Sequence, residues 1–407
     1  MNAGWQTKTL DEACEFSNGL WKGEKEPFVK VGVIRNTNFT KDGELDDSDI
    51  AYLDVEVKKF EKRRLKFGDI ILEKSGGGPK QPVGRVALFD KDDGLFSFSN
   101  FTSAIRVKNP TELDFRFLHK HLFWAYLSGV TEGMQSHSTG IRNLDANAYK
   151  AIQIAIPPLP EQHRIVAILD EAFEGMATAK ANAEKNLQNA RALFESHLQA
   201  VFTERGEGWI VPGKKLYELC ELIVDCEHKT APVQDEGYPS IRTTNIGKGK
   251  LILDGVNRVS QDTYDAWTRR AVPQSGDLIF AREAPAGNVA VIPNGLKVCL
   301  GQRTVLIRPK KAVFDPHFLA ALLLAPQMQQ RLVAQSKGAT VKHINMKDIR
   351  ALDVGSIPPT DVQQALAKRM SDVSSERERL ESLYQQKLIA LDELKKSLLH
   401  QAFSGQL

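Results

Sequence analysis

The chain has 407 residues, of which 42% are hydrophobic and 26% are charged, and its formal net charge is +3. This length suits two or three domains, and this composition excludes a disordered tail and a long apolar membrane segment. The first residues lack the basic and apolar regions of a secretory signal, and four cysteines are too few for a disulfide scaffold, so we expect a cytoplasmic protein. The mild positive charge permits nucleic-acid binding through local patches without requiring it.

Taken in chain order, the segments of the first half of the sequence return in the second half. The order of the matches never changes and their separation drifts slowly, which is hard to obtain by chance and indicates an internal repeat. The matched segments are 4–5 with 208–209, 10–14 with 216–220, 34–38 with 241–245, 68–72 with 276–280, 102–106 with 304–308, 114–118 with 315–319, 156–158 with 357–359, and 193–202 with 394–403.

Each copy begins with short β-like runs separated by Gly, Pro and Asn turns, and it includes one short helix. Each copy ends at an Ile-Pro-Pro, because proline fixes φ and disfavours helix in the residue before it. The predicted strands are 69–72, 85–89 and 102–107 in the first copy and 277–280, 288–292 and 304–307 in the second, and the predicted short helices are 114–128 and 315–336.

A long helix follows each Ile-Pro-Pro, at about 161–204 and about 361–403, with apolar residues at steps of three and four. Such a seam, kept over several heptads, predicts a coiled coil. At ~1.5 Å per residue, a helix of about 44 residues is ~66 Å long, which is more than a small domain is wide. Two matched helices would most simply pack antiparallel and hold the domains apart. The alternative, that each helix folds back on its own domain, stays open.

The predicted fold class is therefore α+β, with two similar mixed α/β domains separated by two long helices packed as an antiparallel coiled coil. The repeat makes the two halves of the chain pseudo-equivalent. The predicted boundaries are 1–157 for the first domain, 158–207 for a central helical spacer, 208–358 for the second domain and 359–407 for a C-terminal helical spacer.

Four sequence pieces add to this tandem layout. They are the Gly-Asp-Ile/Leu-Ile strand before a basic loop, Ile156-Pro-Pro-Leu-Pro-Glu-Gln-His163, Val341-Lys-His-Ile-Asn345, and Leu398-Leu-His-Gln-Ala-Phe-Ser-Gly405. In this order, and over essentially the full length, the chain resembles the specificity (S) subunits of type I restriction-modification systems. The second junction, Ile357-Pro-Pro-Thr-Asp-Val-Gln-Gln364, departs from the first, so we expect partner contacts there to differ.

The resemblance implies a DNA-recognition subunit without a catalytic centre of its own. It implies two target recognition domains, each reading one half of a split, asymmetric site in double-stranded DNA. The helices would act as a ruler and dock two methyltransferase (modification) subunits, and restriction subunits would then join the assembly. AdoMet would belong to the methyltransferase partner, and ATP and Mg²⁺ to the restriction partner, with no cofactor in this chain.

The loops of both domains carry residues suited to DNA readout. Base edges in the major groove are matched by Arg for guanine, by Asn or Gln for adenine and by Ser or Thr for either, while Lys and Arg bind phosphates. The loop Glu73-Lys-Ser-Gly-Gly-Gly-Pro-Lys-Gln-Pro-Val-Gly-Arg85 has this chemistry, with glycines that let the backbone approach a phosphate, and 281–288 is its counterpart. The two loops match in position but not in residues, so we predict half-sites of different sequence, while any single residue remains open to being a solvated surface side chain. The candidate DNA contacts are Arg35, Asn36, Asn38, Lys74, Ser75, Lys80, Gln81, Arg85, Ser99, Asn100, Arg142, Arg242, Thr243, Asn245, Arg282, Asn288, Gln302, Arg303, Lys342 and His343.

The sequence contains no complete catalytic or metal-binding motif of a familiar kind. Cys226-Glu-His228 lacks a second ligand pair at zinc-site spacing, and Gly76-Gly-Gly-Pro-Lys80 is not a Gly-x-x-x-x-Gly-Lys-Ser/Thr phosphate loop. The sequence therefore predicts neither a catalytic nor a metal site. Three alternatives stay open: a stand-alone pseudo-dimeric DNA-binding regulator, a coiled-coil protein scaffold, and a single-chain enzyme. Salt-dependent, sequence-selective DNA affinity would exclude the scaffold, and co-purification with a methyltransferase would exclude the regulator.

Overall fold

The computed structural model describes residues 5–20, 23–78, 81–138, 141–203, 206, 208–334 and 343–407. The chain divides into two compact units: unit 1 is Met1–Ala183 with Gln386–Leu407, and unit 2 is Glu184–Gln385. The dividing points fall inside the two long helices. Each unit thus holds one α/β recognition module together with part of each long helix.

The first recognition module is built mainly from antiparallel strands. Its strands are β1 (Gln6–Thr9), β2 (Cys14–Asn18), β3 (Phe28–Ile34), β4 (Ala51–Glu56), β5 (Ile70–Glu73), β6 (Ser75–Gly77), β7 (Val86–Leu88), β8 (Phe96–Phe98), β9 (Thr102–Val107), β10 (Gln135–Ser138), β11 (Ile141–Leu144) and β12 (Gln153–Ile156). Its helices are α1 (Leu10–Ala13), α2 (Val57–Glu61), α3 (Phe115–Leu127) and α4 (Ala146–Lys150), and the long helix α5 (Leu159–Thr203) follows. The sheets have the strand orders β2-β9-β5-β7, β4-β3-β8, β10-β11-β6 and β1-β12.

The second recognition module repeats the two main sheets of the first. Its strands are β13 (Cys220–Asp225), β14 (Tyr238–Ile241), β15 (Arg258–Val259), β16 (Leu278–Ala281), β17 (Val289–Val291), β18 (Cys299–Leu300) and β19 (Thr304–Pro309). Its helices are α6 (Leu216–Leu219), α7 (Gln261–Trp267), α8 (Pro316–Leu324), α9 (Pro326–Ala334) and α10 (Met346–Arg350), and the long helix α11 (Thr360–Ser404) follows. The sheet orders β13-β19-β16-β17 and β15-β14-β18 correspond to β2-β9-β5-β7 and β4-β3-β8. In both modules one pair is parallel, β3 with β8 and β14 with β18.

Most of the predicted elements are present, with shifts of one or two residues at their ends. One prediction was wrong: a single short helix over 315–336 is two helices, α8 and α9, separated at Ala325. Pro326 causes the break, because it has no N–H to continue α8 and it disfavours helical φ and ψ in the residue before it. Among the described residues, no helix is both long and apolar enough to cross a membrane.

The repeated Gly-Asp and Ile-Arg motifs form the same ion pair in each module, between a buried carboxylate and a partly exposed guanidinium. Arg106 donates from Nε and Nη2 to the two carboxylate oxygens of Asp69, at 2.7 and 2.6 Å. Arg308 binds Asp277 in the same way, with both distances 2.7 Å. Both carboxylates are buried, so each needs a partner of opposite charge. These motifs therefore recur because the fold requires them.

A buried glutamine joins each module to its long helix. Gln162 accepts from the Asp114 N–H at 2.8 Å and donates to the carbonyl oxygens of Glu112 and Pro157, both at 2.7 Å. Gln363 makes the same three bonds in the second module, to main-chain groups of Asp315, Val313 and Pro358. The second junction thus departs from Pro-Leu-Pro-Glu-Gln on its surface and keeps the glutamine that the fold uses.

Within each unit, a part of α5 packs antiparallel on a part of α11. In unit 1, Arg164 donates to the Leu407 carbonyl and Lys180 lies 3.6 Å from Asp392, so advancing along α5 means moving backwards along α11. In unit 2, Arg191 lies 3.1 Å from Glu381, and three residues further along α5 the Phe194 ring lies under the Arg377 guanidinium. The predicted antiparallel pairing of the two helices is therefore seen in each unit.

The helices also enter the hydrophobic core of the module in their own unit. In unit 1, Leu169 of α5 and Leu399 of α11 are buried against the module core around Ile105 and Phe117. In unit 2, Leu198 and Met370 have the same role beside Val305 and Phe318. The two arrangements that the sequence left open, helix on helix and helix on domain, thus occur together. The fold class, two similar mixed α/β domains with two long helices, is confirmed.

Candidate nucleic-acid interface

Several predicted DNA contacts of the first module line a common cleft. They come from the short 3-10 turn Asn36–Asn38 that follows β3 and from the loop around β6, which are far apart in sequence. The cleft, called here the module 1 cleft, encloses about 380 Å³, at the lower end of the range for ligand pockets. It is lined by Asn36, Thr37, Phe39, Glu73, Gly76, Gly77, Gly78, Gln81 and Arg85.

A buried carboxylate organises the polar side of this cleft. Glu73, whose side chain is 2% exposed, accepts from Arg85 Nε at 2.7 Å and from Arg85 Nη2 at 3.0 Å. Asn36 Nδ2 donates to the same carboxylate at 3.2 Å. Sequence reasoning missed Glu73, because a carboxylate is no obvious partner for DNA. The sequence did contain a signal for Glu73: it is a carboxylate at the end of the otherwise apolar strand β5, and the loop that follows carries a cation, Arg85, that could pair with it.

Arg85 uses its donors inside the module. Besides Glu73, it donates to the carbonyl oxygens of Asn36 at 3.0 Å and Phe39 at 3.3 Å. The Gln81 amide, turned so that its oxygen faces the guanidinium, accepts further bonds of 2.9–3.0 Å. Arginine has five N–H donors and no acceptor, so this environment leaves little for a base edge. Arg85 therefore shapes the cleft, and direct guanine readout by it is not favoured.

The glycines of the loop allow the chain to pass close to itself. A Cβ at Gly77 would lie 2.6 Å from the Gln81 carbonyl oxygen, and Gly76 has a φ of +107°. Gly78, in contrast, has open space where a Cβ would stand. The sequence predicts that these glycines let the backbone approach a phosphate, and Gly78 is the one of the three with open space for such an approach. Gly77 is a glycine because the fold brings the chain close to itself there.

Further predicted contacts lie beside this cleft, where β6 pairs with β11. Lys74 Nζ donates to Asn18 Oδ1 at 3.0 Å, and burial lowers the pKa of the Lys74 ammonium. Ser75 Oγ donates to Asn143 Oδ1 at 2.6 Å, and Arg142 Nη1 to Gln135 Oε1 at 3.3 Å. The described structure therefore brings Lys74, Ser75 and Arg142 together at the end of β5.

Ser99 and Asn100 belong to a tight turn before β9. The Thr102 hydroxyl donates to the main-chain carbonyl oxygen of Ser99 at 2.8 Å. Gly19 packs so closely on this turn that a Cβ at Gly19 would collide with the Ser99 carbonyl. Both Ser99 and Asn100 are half-buried. The turn is thus determined by packing, and it leaves these two predicted contacts at its edge.

Two predicted contacts, Asn38 and Asn245, have a structural role instead. The side chain of Asn38 is buried, with 1% of the residue exposed; its Oδ1 accepts from the Arg35 N–H, and its Nδ2 donates to the carbonyls of Asp46 and Asp49. Asn245 repeats this in the second module, accepting from the Arg242 N–H. Both amides close a 3-10 turn and face inwards, which disfavours the predicted contact of these two side chains with DNA. The two arginines that precede these turns differ: Arg35 donates to the Asp49 carboxylate at 2.9 Å, whereas the side chain of Arg242 is exposed to solvent.

In the second module the corresponding region holds a chain of charged residues. Arg282 is buried and donates to Asp225 at 2.7 Å and to His343 Nε2 at 2.9 Å. Since arginine can only donate, His343 carries its proton on Nδ1, which donates to Glu283 at 2.9 Å. Arg303, whose φ is +65°, closes the chain on Glu283 at 2.6 Å.

The two modules place different residues at equivalent positions of this frame. The sheet register makes Glu73 equivalent to Ala281 and Lys74 equivalent to Arg282. Asn288 stands where Arg85 does, and its Nδ2 donates to the Ile246 carbonyl at 2.8 Å. Two further predicted contacts of the second module are Thr243, which corresponds to Asn36, and the half-buried Gln302. The last two, Lys80 and Lys342, lie outside the described residues.

One cluster in the second module has the residue types of a metal site. Ligand atoms of Asp225, Cys226 and His228 lie within 4.8 Å of one another. Asp225 is already paired with Arg282, and Cys226 Sγ accepts from the Arg303 N–H at 3.1 Å. Burial raises the pKa of the Cys226 thiol, which disfavours the thiolate that a metal would need. Protein partners thus account for this cluster without an ion.

A duplicated module that keeps one scaffold and varies the polar side chains of a surface cleft is the architecture of a two-part sequence reader. The family model of the type I restriction modification DNA specificity domain matches residues 2–187 and 213–388, which is more than half of the chain. The chain therefore belongs to the type I restriction modification DNA specificity family. It carries two copies of this DNA specificity domain, and this family is the one that its sequence resembles.

Individual relatives are distant in sequence. The chain is 23% identical over 315 residues to the type I restriction enzyme EcoBI specificity subunit of Escherichia coli, covering 72% of this chain and 65% of that protein. It is 22% identical over 403 residues to the EcoKI specificity subunit of Escherichia coli strain K12, covering 95% of this chain and 83% of that protein.

Solved structures share the fold. A chain from a study of complex assembly and conformational transition of the type I R-M system superposes with a TM-score of 0.75 at 19% identity, covering 100% of this chain and 99% of that one. The HsdS subunit from Thermoanaerobacter tengcongensis superposes with a TM-score of 0.59 at 18% identity, covering 100% and 98%.

Proposed function

We propose that this chain recognises a bipartite, asymmetric DNA site, with one half read by each module. The observation that carries the proposal is the contrast between scaffold and cleft. The scaffold pairs recur unchanged, as Asp69–Arg106 and Asp277–Arg308 do. The residues of the module 1 cleft differ from those at the equivalent positions of the second module, as Asn36 and Thr243 do. Direct readout depends on side-chain identity, so the two modules would read different bases.

We further propose that the chain docks two methyltransferase subunits, and restriction subunits through them. Apolar residues on the solvent side of the long helices support this docking, since they are 47–69% exposed: Leu193, Leu383, Ile389 and Leu394. AdoMet would be held by the methyltransferase partner, and ATP and Mg²⁺ by the restriction partner. The assembly would act on the chromosome in the cytoplasm.

The test is to co-express the full chain with the adenine methyltransferase encoded beside it and to map methylated adenines by single-molecule sequencing. The expected result is a split motif, with two short unlike halves around a fixed unspecific gap. A chimera in which residues 1–157 come from another specificity subunit should change one half only. A matched chimera that replaces residues 208–358 should change the other half.

Any of four results would overturn the proposal. A chain that binds DNA but no methyltransferase would favour a stand-alone regulator. A stable complex whose methylation shows no bipartite motif would contradict the split site, and so would a chimera in which both halves change together. DNA affinity that does not fall with rising salt would favour a protein scaffold.

A further inference from the structure

Asn36 lies on the wall of the module 1 cleft with part of its amide unused. Its Nδ2 donates one hydrogen bond, to Glu73 Oε1 at 3.2 Å. Within the described residues, no partner is found for its Oδ1 or for the second N–H of its Nδ2. An asparagine side chain has one carbonyl oxygen and two N–H donors. Asn36 therefore keeps one acceptor and one donor, side by side, at the cleft.

The neighbouring carboxylate fixes which way this amide faces. Glu73 is an acceptor when ionised, so the nitrogen of Asn36, not its oxygen, must point towards it. Glu73 cannot turn away, because Arg85 holds both of its oxygens. Arg85 in turn donates to the main-chain carbonyl oxygens of Asn36 and Phe39, which hold it in place. The amide of Asn36 is thus oriented before any ligand arrives, which reduces the entropy lost on binding.

The chemistry of the cleft favours one base. An oriented amide with one free acceptor and one free donor matches adenine, which offers its N6–H as donor and its N7 as acceptor in the major groove. Guanine would be read best by a free arginine, and the arginine of this cleft is engaged within the protein. Among the described residues that line the cleft, Arg85 and Glu73 are the charged ones, and they neutralise each other as an ion pair.

We propose, building on the proposed function, that Asn36 reads an adenine in the half-site of the first module, with Glu73 and Arg85 as positioning residues. The second module has no such contact at the equivalent place. It carries Thr243 instead of Asn36 and Ala281 instead of Glu73. The same frame therefore tolerates threonine at this position, which makes Asn36→Thr a variant that we expect to fold.

The experiment measures coupling between this amide and single atoms of the DNA. The full chain, in complex with its methyltransferase, is titrated with duplexes carrying the mapped motif. Each adenine of the first half-site, on either strand, is replaced in turn by 7-deazaadenine, which lacks the N7 acceptor. At one position the wild-type complex should lose about tenfold to a hundredfold in affinity, as expected for a bidentate base contact. The Asn36→Thr complex should already be weakened, and it should lose nothing further at that position.

Controls separate this role from a structural one. Asn147→Thr makes the same exchange at an exposed position of α4 outside the cleft, and it should keep the full sensitivity to 7-deazaadenine. Replacements in the second half-site should weaken the wild-type and Asn36→Thr complexes equally. Glu73→Gln should keep the fold and reduce the coupling, because a neutral amide no longer fixes the orientation of Asn36. Helical content and melting temperature report whether each variant is folded.

The inference is overturned if the first half-site contains no adenine, if no adenine couples to Asn36, or if Asn36→Thr weakens binding equally on all sequences. These outcomes leave the proposed function intact, because the wild-type complex would still methylate a bipartite motif. Absence of any such motif would instead overturn the proposed function, and this inference with it.

Discussion

Arg106 holds the buried carboxylate of Asp69 with two parallel hydrogen bonds of 2.7 and 2.6 Å, while the guanidinium itself remains partly in solvent. Asp69 also accepts from the Lys66 N–H at 2.8 Å, so it fixes the turn that leads into β5. The pair therefore links β9 to the turn that precedes β5. Its counterpart, Arg308 with Asp277, does the same in the second module.

Removing the arginine should destabilise the module strongly. Arg106→Ala leaves Asp69 buried without a cation, so we expect a loss of about 3–5 kcal/mol in the free energy of unfolding. Urea unfolding with hydrogen exchange on β5 and β9 would measure it. Arg379→Ala is the matched control, because Arg379 pairs with Glu376 on the solvent side of α11 and should contribute less than ~1 kcal/mol. Equal losses in the two variants would contradict the structural role of the buried pair.

The junction glutamine should also be sensitive. Gln162→Leu removes a fully buried amide and leaves one main-chain N–H and two main-chain carbonyls without it, one of these bonds being fully buried, so a loss of about 2–3 kcal/mol is expected. The effect should be visible as faster hydrogen exchange where the module meets α5. Gln363→Leu should behave alike in the second module, and the exposed neighbour Gln364→Leu should stay within about 0.5 kcal/mol of wild type. A silent Gln162→Leu would show that the junction holds without these bonds.

Acid should weaken the first module through two buried histidines. Burial lowers the pKa of both His119 and His121 to about 4, whereas an unfolded histidine has a pKa near 6.5. Between these values the unfolded chain binds more protons than the folded one, so stability falls as the pH drops from 6.5 towards 4. From pH 7 to pH 5 the loss should be roughly 2 kcal/mol per histidine.

The variant that tests this pH dependence keeps the local contacts. His119→Gln can still donate to the Gly43 carbonyl, and His121→Phe can still stack on Trp124 and Phe403. In the double variant, hydrogen exchange of α3 should respond less to the change from pH 7 to pH 5 than in wild type, after correction for the intrinsic rate. An unchanged response would mean that these histidines are not the groups that titrate.

Lys74 should contribute to DNA affinity without contributing to base choice. Its ammonium is held by the neutral Asn18, so no carboxylate cancels its charge there. Lys74→Gln should weaken binding by a similar factor on all sequences and reduce the slope of log K against log salt by about 0.9. Lys396→Gln is the control, because Glu393 already pairs with Lys396. If both variants keep the wild-type slope, Lys74 makes no phosphate contact.

Much of the fold could be predicted because its signals are local. Apolar runs such as that of β5 mark strands, and the Ile-Pro-Pro pairs mark the start of each long helix. Sheet order could not be predicted, since it depends on pairings between distant segments such as β3 and β8. The break at Pro326 could have been predicted, because a proline inside a helical pattern is itself a local signal.

Less of the candidate site could be predicted, because the sequence gives the type of each residue but not the direction in which its side chain points. Asn36 and Asn38 are the same residue two positions apart, yet the first faces the cleft and the second is buried. The repeat carried a usable signal. Asn38 corresponds to an identical residue, Asn245, in the second module, whereas Asn36 corresponds to a different residue, Thr243. On our proposal that the two modules read different bases, positions that stay constant between them are expected to serve the scaffold.

All three partners of Gln162 are main-chain groups, as are those of Gln363. The hydrogen bonds of this joint therefore do not depend on which side chains their partners carry. A foreign module that ends in the same turn would keep these bonds, and it would need only a core that packs against the apolar faces of α5 and α11. Recombination between genes could then exchange one half of the target in a single event, and the lineage that inherits it would mark its chromosome in a new pattern.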